Sequence, residues 1–477
     1  MPMASQPEGL ALDADLLKRY SQEFNADRAN LVAANAAVSN GILQAATSYR
    51  GVRELPRTFS IELKQGSITN QEHSGRCWMF SSLNTLRYEL IHKWDLEDFE
   101  FSESYLFFFD KLEKSNFYLE NVLATLDEAT DSRVFQSVNG LPAGDGGWWQ
   151  MFVPLVKKYG LVPKDAYPES ANSRNSEAFE QYLNTKLREF AAELRDAHRE
   201  GRSMEELRAM KVERMGVVYR ICAIAMGEPP ATFDLLLRVK DGDKDEKADK
   251  AGEATAEAKA PKGVDARRQI VERGITPQEF YAKYVGVDLD QFVCLTNSPL
   301  ASTPFYTRYQ IAFEGNVAEE APMDFVNVPL DVFRKAAVDQ LAAGHPIWFA
   351  CDCMQFSLRK AGVFDAATVR VDELFGTEFT SDKAHGLEYM DSPSNHAMTL
   401  TGVNIDADGY ADRWKVENSW GKDNGVDGYY VASGAWFDRY VQEIVIRREF
   451  LDEATLKAVE SEPVTLQPWQ PISRICR

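Results

Sequence analysis

Apolar residues recur at different periods in different parts of this chain. From about 176 to 236 they fall at three- and four-residue steps: Phe179, Tyr182, Leu183, Leu187, Phe190, Ala191 and Leu194 form one stripe, with Glu, Lys and Arg opposite. This pattern predicts long amphipathic helices. Another helix is predicted from Cys77 onward through Leu-Asn-Thr-Leu-Arg-Tyr-Glu-Leu, and residues 10 to 50 read as an amphipathic helix followed by an Ala-Asn-rich connector. After 290 the period shortens to that of strands, in Phe-Val-Cys-Leu, Tyr-Gln-Ile-Ala-Phe, Ile-Trp-Phe-Ala-Cys, Met-Thr-Leu-Thr-Gly-Val, Trp-Lys-Val-Glu, Gly-Tyr-Tyr-Val and Ile-Val-Ile. Runs of this kind bounded by Gly, Pro and Asp predict an antiparallel sheet or barrel. Residues 240–263 mix charge with Ala and Gly and lack apolar bulk, as a flexible surface excursion or a marginal exposed helix would. The expected class is α+β, with at least two domains, because 477 residues exceed one hydrophobic core.

Composition narrows the function. A formal net charge of −20 disfavours nucleic acid, whose phosphates it would repel. No apolar run approaches membrane-span length, and the first thirty residues interleave acidic and basic side chains instead of forming an apolar signal region. Six cysteines without regular spacing are not a disulfide framework. These features predict a cytoplasmic protein. Cys351 and Cys353 flank Asp352, with His345 nearby, but no second pair completes four ligands, so core positions and no metal or cofactor are expected.

The chemistry is concentrated in three short segments. Residues 70 to 80 read Asn-Gln-Glu-His-Ser-Gly-Arg-Cys-Trp-Met-Phe. Cys77 opens a helix there, where the helix dipole favours a nucleophilic thiolate. Gln71, six positions earlier, can offer an amide N–H to an oxyanion. Downstream, His396 lies in a small-residue turn entering an apolar strand and can serve as base and then acid. Asn418, in Val-Glu-Asn-Ser-Trp-Gly, can accept from the imidazole N–H, and Trp420 would shield that bond. Each residue alone has an ordinary explanation: a core thiol, a structural histidine, a turn asparagine. The ordered set Gln, Cys, His, Asn matches the arrangement in which Cys-His-Asn replaces Ser-His-Asp.

The segments Gly-Arg-Cys-Trp-Met-Phe, Asn-His-Ala-Met-Thr-Leu-Thr-Gly and Val-Glu-Asn-Ser-Trp-Gly resemble the bleomycin hydrolase and aminopeptidase C family of papain-like cysteine peptidases. Asp-Gly-Gly-Trp-Trp-Gln-Met-Phe at 145–152, Tyr-Pro-Glu-Ser at 167–170, Thr-Pro-Gln-Glu-Phe-Tyr at 276–281 and Asn-Val-Pro-Leu at 327–330 extend the likeness over nearly the whole chain. His396 lies 319 positions after Cys77 (396 − 77). Papain relatives have about 130–150, so roughly 170–190 residues are inserted. Ser74 occupies the position of the second cysteine in the cathepsin signature, so that disulfide is missing.

The resemblance implies a two-lobed papain-like domain with a large helical insertion. The expected divisions are an N-terminal arm (1–59), a helical lobe (60–175), an oligomerisation insertion (176–289), a β-rich lobe (290–455) and a C-terminal arm reaching the cleft (456–477). It further implies a homohexamer with a central cavity, acting on peptide substrates as an aminopeptidase. Bleomycin-type amide hydrolysis follows only from the family name. Gly146 and Gly147 would hydrogen-bond an extended peptide, where the residues alone fit a tight turn equally well. In relatives the terminal carboxylate meets the substrate amine. Here Pro468, Trp469 and Pro471 match the family's anchor, but Arg474 and Arg477 place positive charge at that position. Trimming of Arg477, relaxed exopeptidase specificity and a different docking of the tail all stay open. So do an endopeptidase or acyl transferase with the same triad, and a non-catalytic scaffold.

Overall fold

The computed structural model of this protein describes residues 12–240 and 268–476, with side chains as far as Ser473. Nearly all of the charged segment 240–263 lies outside them, as does Arg477. The helix Cys77–Trp94 is buried on nearly every side, and Trp78, Met79, Phe80, Leu83, Leu86 and Leu90 are fully buried. Such a helix belongs inside a core, and each of these side chains contributes about 1.5–3 kcal/mol by leaving water. Against it pack the helices Glu103–Ala124 and Trp149–Tyr159, and on the far side of Glu103–Ala124 lie Glu177–Arg199 and Met204–Met226. Ser102 caps the first of these, its Oγ accepting from the Tyr105 N–H, and Ser203 with Glu206 forms a capping box on the last.

The predicted stripe on Glu177–Arg199 is buried except at Tyr182, which is 70% exposed on the outer face. The helical pattern also stops earlier than expected. Met226 ends the last long helix, and Phe233–Arg238 is a strand paired antiparallel with Gln269–Ile275. Its burial alternates strictly, with Phe233, Leu235 and Leu237 inward, which is the strand period and not the helical one. The Ala-Asn-rich connector is likewise the helix Arg28–Asn40, since Ala carries the highest helix propensity.

Among the described residues twelve strands form one sheet. Its centre runs Phe292–Thr296, Val441–Arg447, Ile347–Cys351, His396–Ile405, Ala411–Glu417 and Tyr429–Ser433. The predicted antiparallel sheet is in fact mixed: three edge pairings are parallel, including Tyr429–Ser433 with Val363–Phe364. Its inner face packs on Phe333, Ala337 and Leu341 of the helix Leu330–Ala342 to form a second core. The two cores meet where Cys77–Trp94 lies on the strand His396–Ile405. There Ser81 Oγ donates to the Met398 carbonyl at 2.6 Å, and Trp348 Nε1 donates to the Trp78 carbonyl at 3.0 Å.

Candidate active site

Cys77 is the first residue of its helix, and Arg76 is the N-cap. No side chain caps this helix start, and the N–H groups of Cys77 and Trp78 bond the thiol sulfur. The strand residue Ala397 contributes a backbone hydrogen bond to the same sulfur, which places it beside the His396 strand. Burial pushes the thiol pKa up, with Asp145 adding to the rise, while backbone bonds from Ala397, Trp78 and Cys77 pull it down. The net direction is upward. The expectation of a lowered pKa is thus reversed in the resting chain: the helix start acts in the predicted sense, but desolvation outweighs it.

His396 begins its strand opposite Cys351, and the turn before it is tied down. Asn395 donates to Asp352 Oδ1 at 2.5 Å and accepts from the Cys353 N–H at 3.0 Å. His396 Nε2 lies 2.9 Å from Asn418 Oδ1. That oxygen also accepts from the Ser419 N–H at 2.8 Å, so it is an acceptor and Nε2 carries the proton. Nδ1 is then left as the basic nitrogen of the neutral ring. Trp420 stacks on the imidazole at 4.5 Å between centroids, and the Arg359 guanidinium lies 4.5 Å over the Trp420 ring. Burial lowers the His396 pKa to about 4, aided by Arg359 and opposed by the Asn418 bond. Both shifts favour a neutral thiol–imidazole pair at rest.

Gln71 is buried between these two parts. Its Oε1 accepts from Ser419 Oγ at 2.7 Å, and its backbone N–H donates to the Ser419 carbonyl at 2.8 Å. Nε2 donates one proton to the Ser74 carbonyl at 2.7 Å, which leaves a second N–H on the amide. Gly146 is exposed, and a Cβ there would meet nothing within 4 Å. At Gly147 a Cβ would fall 2.5 Å from the Trp78 ring, so this glycine is required by packing against the helix that carries Cys77.

Several residues that hold the site went unread in the sequence. Arg76 is buried in a two-pronged pair with Glu169 (3.1 and 3.0 Å) and also donates to the Ser173 carbonyl at 2.7 Å. Asp145 accepts from the Gly75 N–H at 3.0 Å, pairs with Lys111 at 2.6 Å, and takes the Trp78 indole N–H on its carbonyl at 2.8 Å. Lys114 donates to the carbonyls of Gly144 (2.9 Å) and Gly146 (2.6 Å). The available signal was Asp110, Lys111 and Lys114 lying beside Phe107 and Phe108, charges on the buried face of a helix. On the strand side, Arg87 pairs with Glu417 at 2.8 Å, next to Asn418, and burial raises the Glu417 pKa to about 7.

The C-terminal arm follows the edge strand Val464–Leu466 and ends in a short helix, Pro471–Cys476, against the helix Lys383–Glu388. Ile472 is buried, and Trp469 lies under the Arg133 guanidinium at 5.2 Å. Among the described residues no cluster of three His, Cys, Asp or Glu could hold a metal, and no helix is long and apolar enough to cross a membrane.

A family model described as the Peptidase C1-like family matches residues 11–260 and 263–473. Aminopeptidase C of Lactococcus lactis subsp. cremoris is 39% identical over 98% of this chain and 100% of its own length. Aminopeptidase G of Lactobacillus delbrueckii subsp. lactis is 38% identical over 96% and 98%. The crystal structure of PepW from Lactobacillus rhamnosis HN001 superposes with a TM-score of 0.90 at 37% identity, covering 97% of this chain and 99% of that one. The fold is the papain-like α+β fold with a large helical region, and the chain belongs to the Peptidase C1-like family, in its aminopeptidase C branch.

Proposed function

We propose that Cys77, His396, Asn418 and Gln71 carry out peptide-bond hydrolysis at the junction of the two cores. The chain is a cysteine-type aminopeptidase, as its full-length likeness to aminopeptidases C and G supports. As a substrate carbonyl approaches, the Cys77 proton passes to His396 Nδ1 and the sulfur attacks the carbonyl carbon. The Cys77 backbone N–H and the spare Gln71 amide proton stabilise the oxyanion. His396 then protonates the departing amine and activates water for deacylation, while Asn418 holds the ring by Nε2. The observation that carries this reading is the 2.9 Å His396–Asn418 bond, on a strand that also bonds the Cys77 sulfur.

Gly146 sits at an open edge where an extended peptide can lie, and Gly147 keeps that edge on Trp78. The C-terminal arm docks on the segment that leads into His396, which supports its role in limiting the cleft to free N-termini. We assign Arg477 of that arm to substrate binding. Exposed Leu17, Tyr20 and Phe24 on Ala14–Ala26, and Tyr182 and Ile224 on the long helices, give apolar faces for a homohexamer. A nucleophilic thiol suits the reducing cytoplasm, where we place the protein. The test is turnover of matched fluorogenic dipeptides, one with a free α-amino group and one N-acetylated. Thiol-sensitive cleavage of the free amine alone is expected. Equal cleavage of both would make the enzyme an endopeptidase with an ungated cleft.

A further inference from the structure

Arg359 stands at the outer end of a stack whose inner end is the base. Its guanidinium carbon lies 4.5 Å over the Trp420 ring, and Trp420 in turn stacks on His396 at 4.5 Å with the rings 27° apart. The arginine is exposed, yet it is held from three sides. Its Nη2 meets Met354 Sδ at 3.0 Å, and its backbone carbonyl accepts from the N–H groups of Gly425 (3.0 Å) and Gly362 (3.2 Å). Gly425 belongs to the turn after Trp420, in which Asn424 Nδ2 also donates to the Trp420 carbonyl at 2.7 Å. Main chain and side chain of Arg359 therefore grip the loop carrying the tryptophan from outside.

We infer that Arg359 is a positioning residue for the acid–base step, clamping Trp420 flat on the His396 ring so that the imidazole keeps its angle to Asn418 and Cys77. A cation held on an aromatic face favours the indole orientation that keeps that face toward it. Among the described residues its side chain meets an indole face and a thioether, neither of which neutralises the charge. The groups around the imidazole are Cys77 from the helix, Cys351 across the sheet, Asn418 and Trp420, with Asp352 in the turn tied to Asn395. Burial pushes the Asp352 and Cys351 pKa values up. The Arg359 charge acts on the ring beside the larger effect of burial, and it disfavours the imidazolium.

The sign follows directly. Removing the cation makes the imidazolium easier to form, so the limb of the rate profile set by His396 moves to higher pH. Arg359→Gln and Arg359→Lys in the full chain separate stacking from charge, with kcat, KM, the pH profile and Tm measured on the free-amine dipeptide. For Arg359→Gln we expect kcat to fall about 2–4-fold at nearly constant KM and the His396 limb to rise about 0.5 pH unit. Arg359→Lys should keep the parent limb and lose less kcat. A Gln variant with parent kcat and an unshifted limb would overturn the inference, as would a kcat loss explained wholly by a lowered Tm. The inference rests on the Cys77–His396 reading, but the two fail separately. Activity surviving in Cys77→Ala defeats that reading, whereas a Cys77-dependent enzyme indifferent to Arg359→Gln defeats only the clamp.

Discussion

The nucleophile and the base are held by opposite kinds of interaction. Around Cys77 the backbone is fixed by buried charge: Arg76 on Glu169, Lys111 on Asp145, and Lys114 on the carbonyls of Gly144 and Gly146. Around His396 the direct restraints are strand register, a neutral hydrogen bond to Asn418 and the Trp420 stack, with the one buried pair, Arg87 with Glu417, set back behind Asn418. A loop that must present backbone N–H groups to an oxyanion has no ladder of its own, so paired side chains replace one. A strand residue inherits its position from its neighbours and needs only its ring angle set. Damage on the first side should therefore appear as instability, and damage on the second as slow catalysis in a stable protein.

Four substitutions sharpen or break this contrast. Cys77→Ala should abolish turnover, by at least about 10⁴-fold in kcat, with the Tm held, as thermal unfolding beside kinetics would show. Glu169→Gln strands the Arg76 charge in the interior and should cost about 3–5 kcal/mol of stability, read by denaturant titration. The arginine and serine partners hold Glu169 at about 2, below the ordinary carboxylate value of 4.5. Its contribution is present in full above that ordinary value and is lost as pH falls through about 2. The parent's acid unfolding between those limits should flatten in the variant. Asn418→Ala should lower kcat about 10²-fold at near-parent stability. Trp420→Leu should cost only about fivefold in kcat, roughly 1 kcal/mol. If Asn418→Ala instead unfolds the protein, or Glu169→Gln leaves its stability untouched, the contrast fails.

Legibility in the sequence followed the same divide. The residues Cys77, His396 and Asn418 could be picked out because each sits at the edge of a strongly periodic segment with small or polar neighbours. The central strands were visible for the same reason. Pairs such as Arg76 with Glu169, or Arg87 with Glu417, join positions far apart in the chain, and nothing local marks a charged residue as buried. Arg359 was invisible because an exposed arginine looks like solvent-facing charge until the fold lays it on Trp420. The short strand Phe233–Arg238 was absorbed into the preceding helical pattern, since the exposed Leu236 puts Phe233, Leu236 and Leu237 at i, i+3 and i+4. The direction of the Cys77 shift also escaped: the dipole is local, whereas desolvation depends on the whole packed site.

The most direct test of the account is iodoacetamide labelling followed by peptide mapping, run alongside loss of peptidase activity. Cys222, Cys294, Cys351 and Cys353 are buried, while Cys77 is partly exposed. The account predicts that inactivation tracks a single label on Cys77, with those four unmodified. Complete alkylation of Cys77 with turnover intact, or inactivation that follows another cysteine, would contradict it.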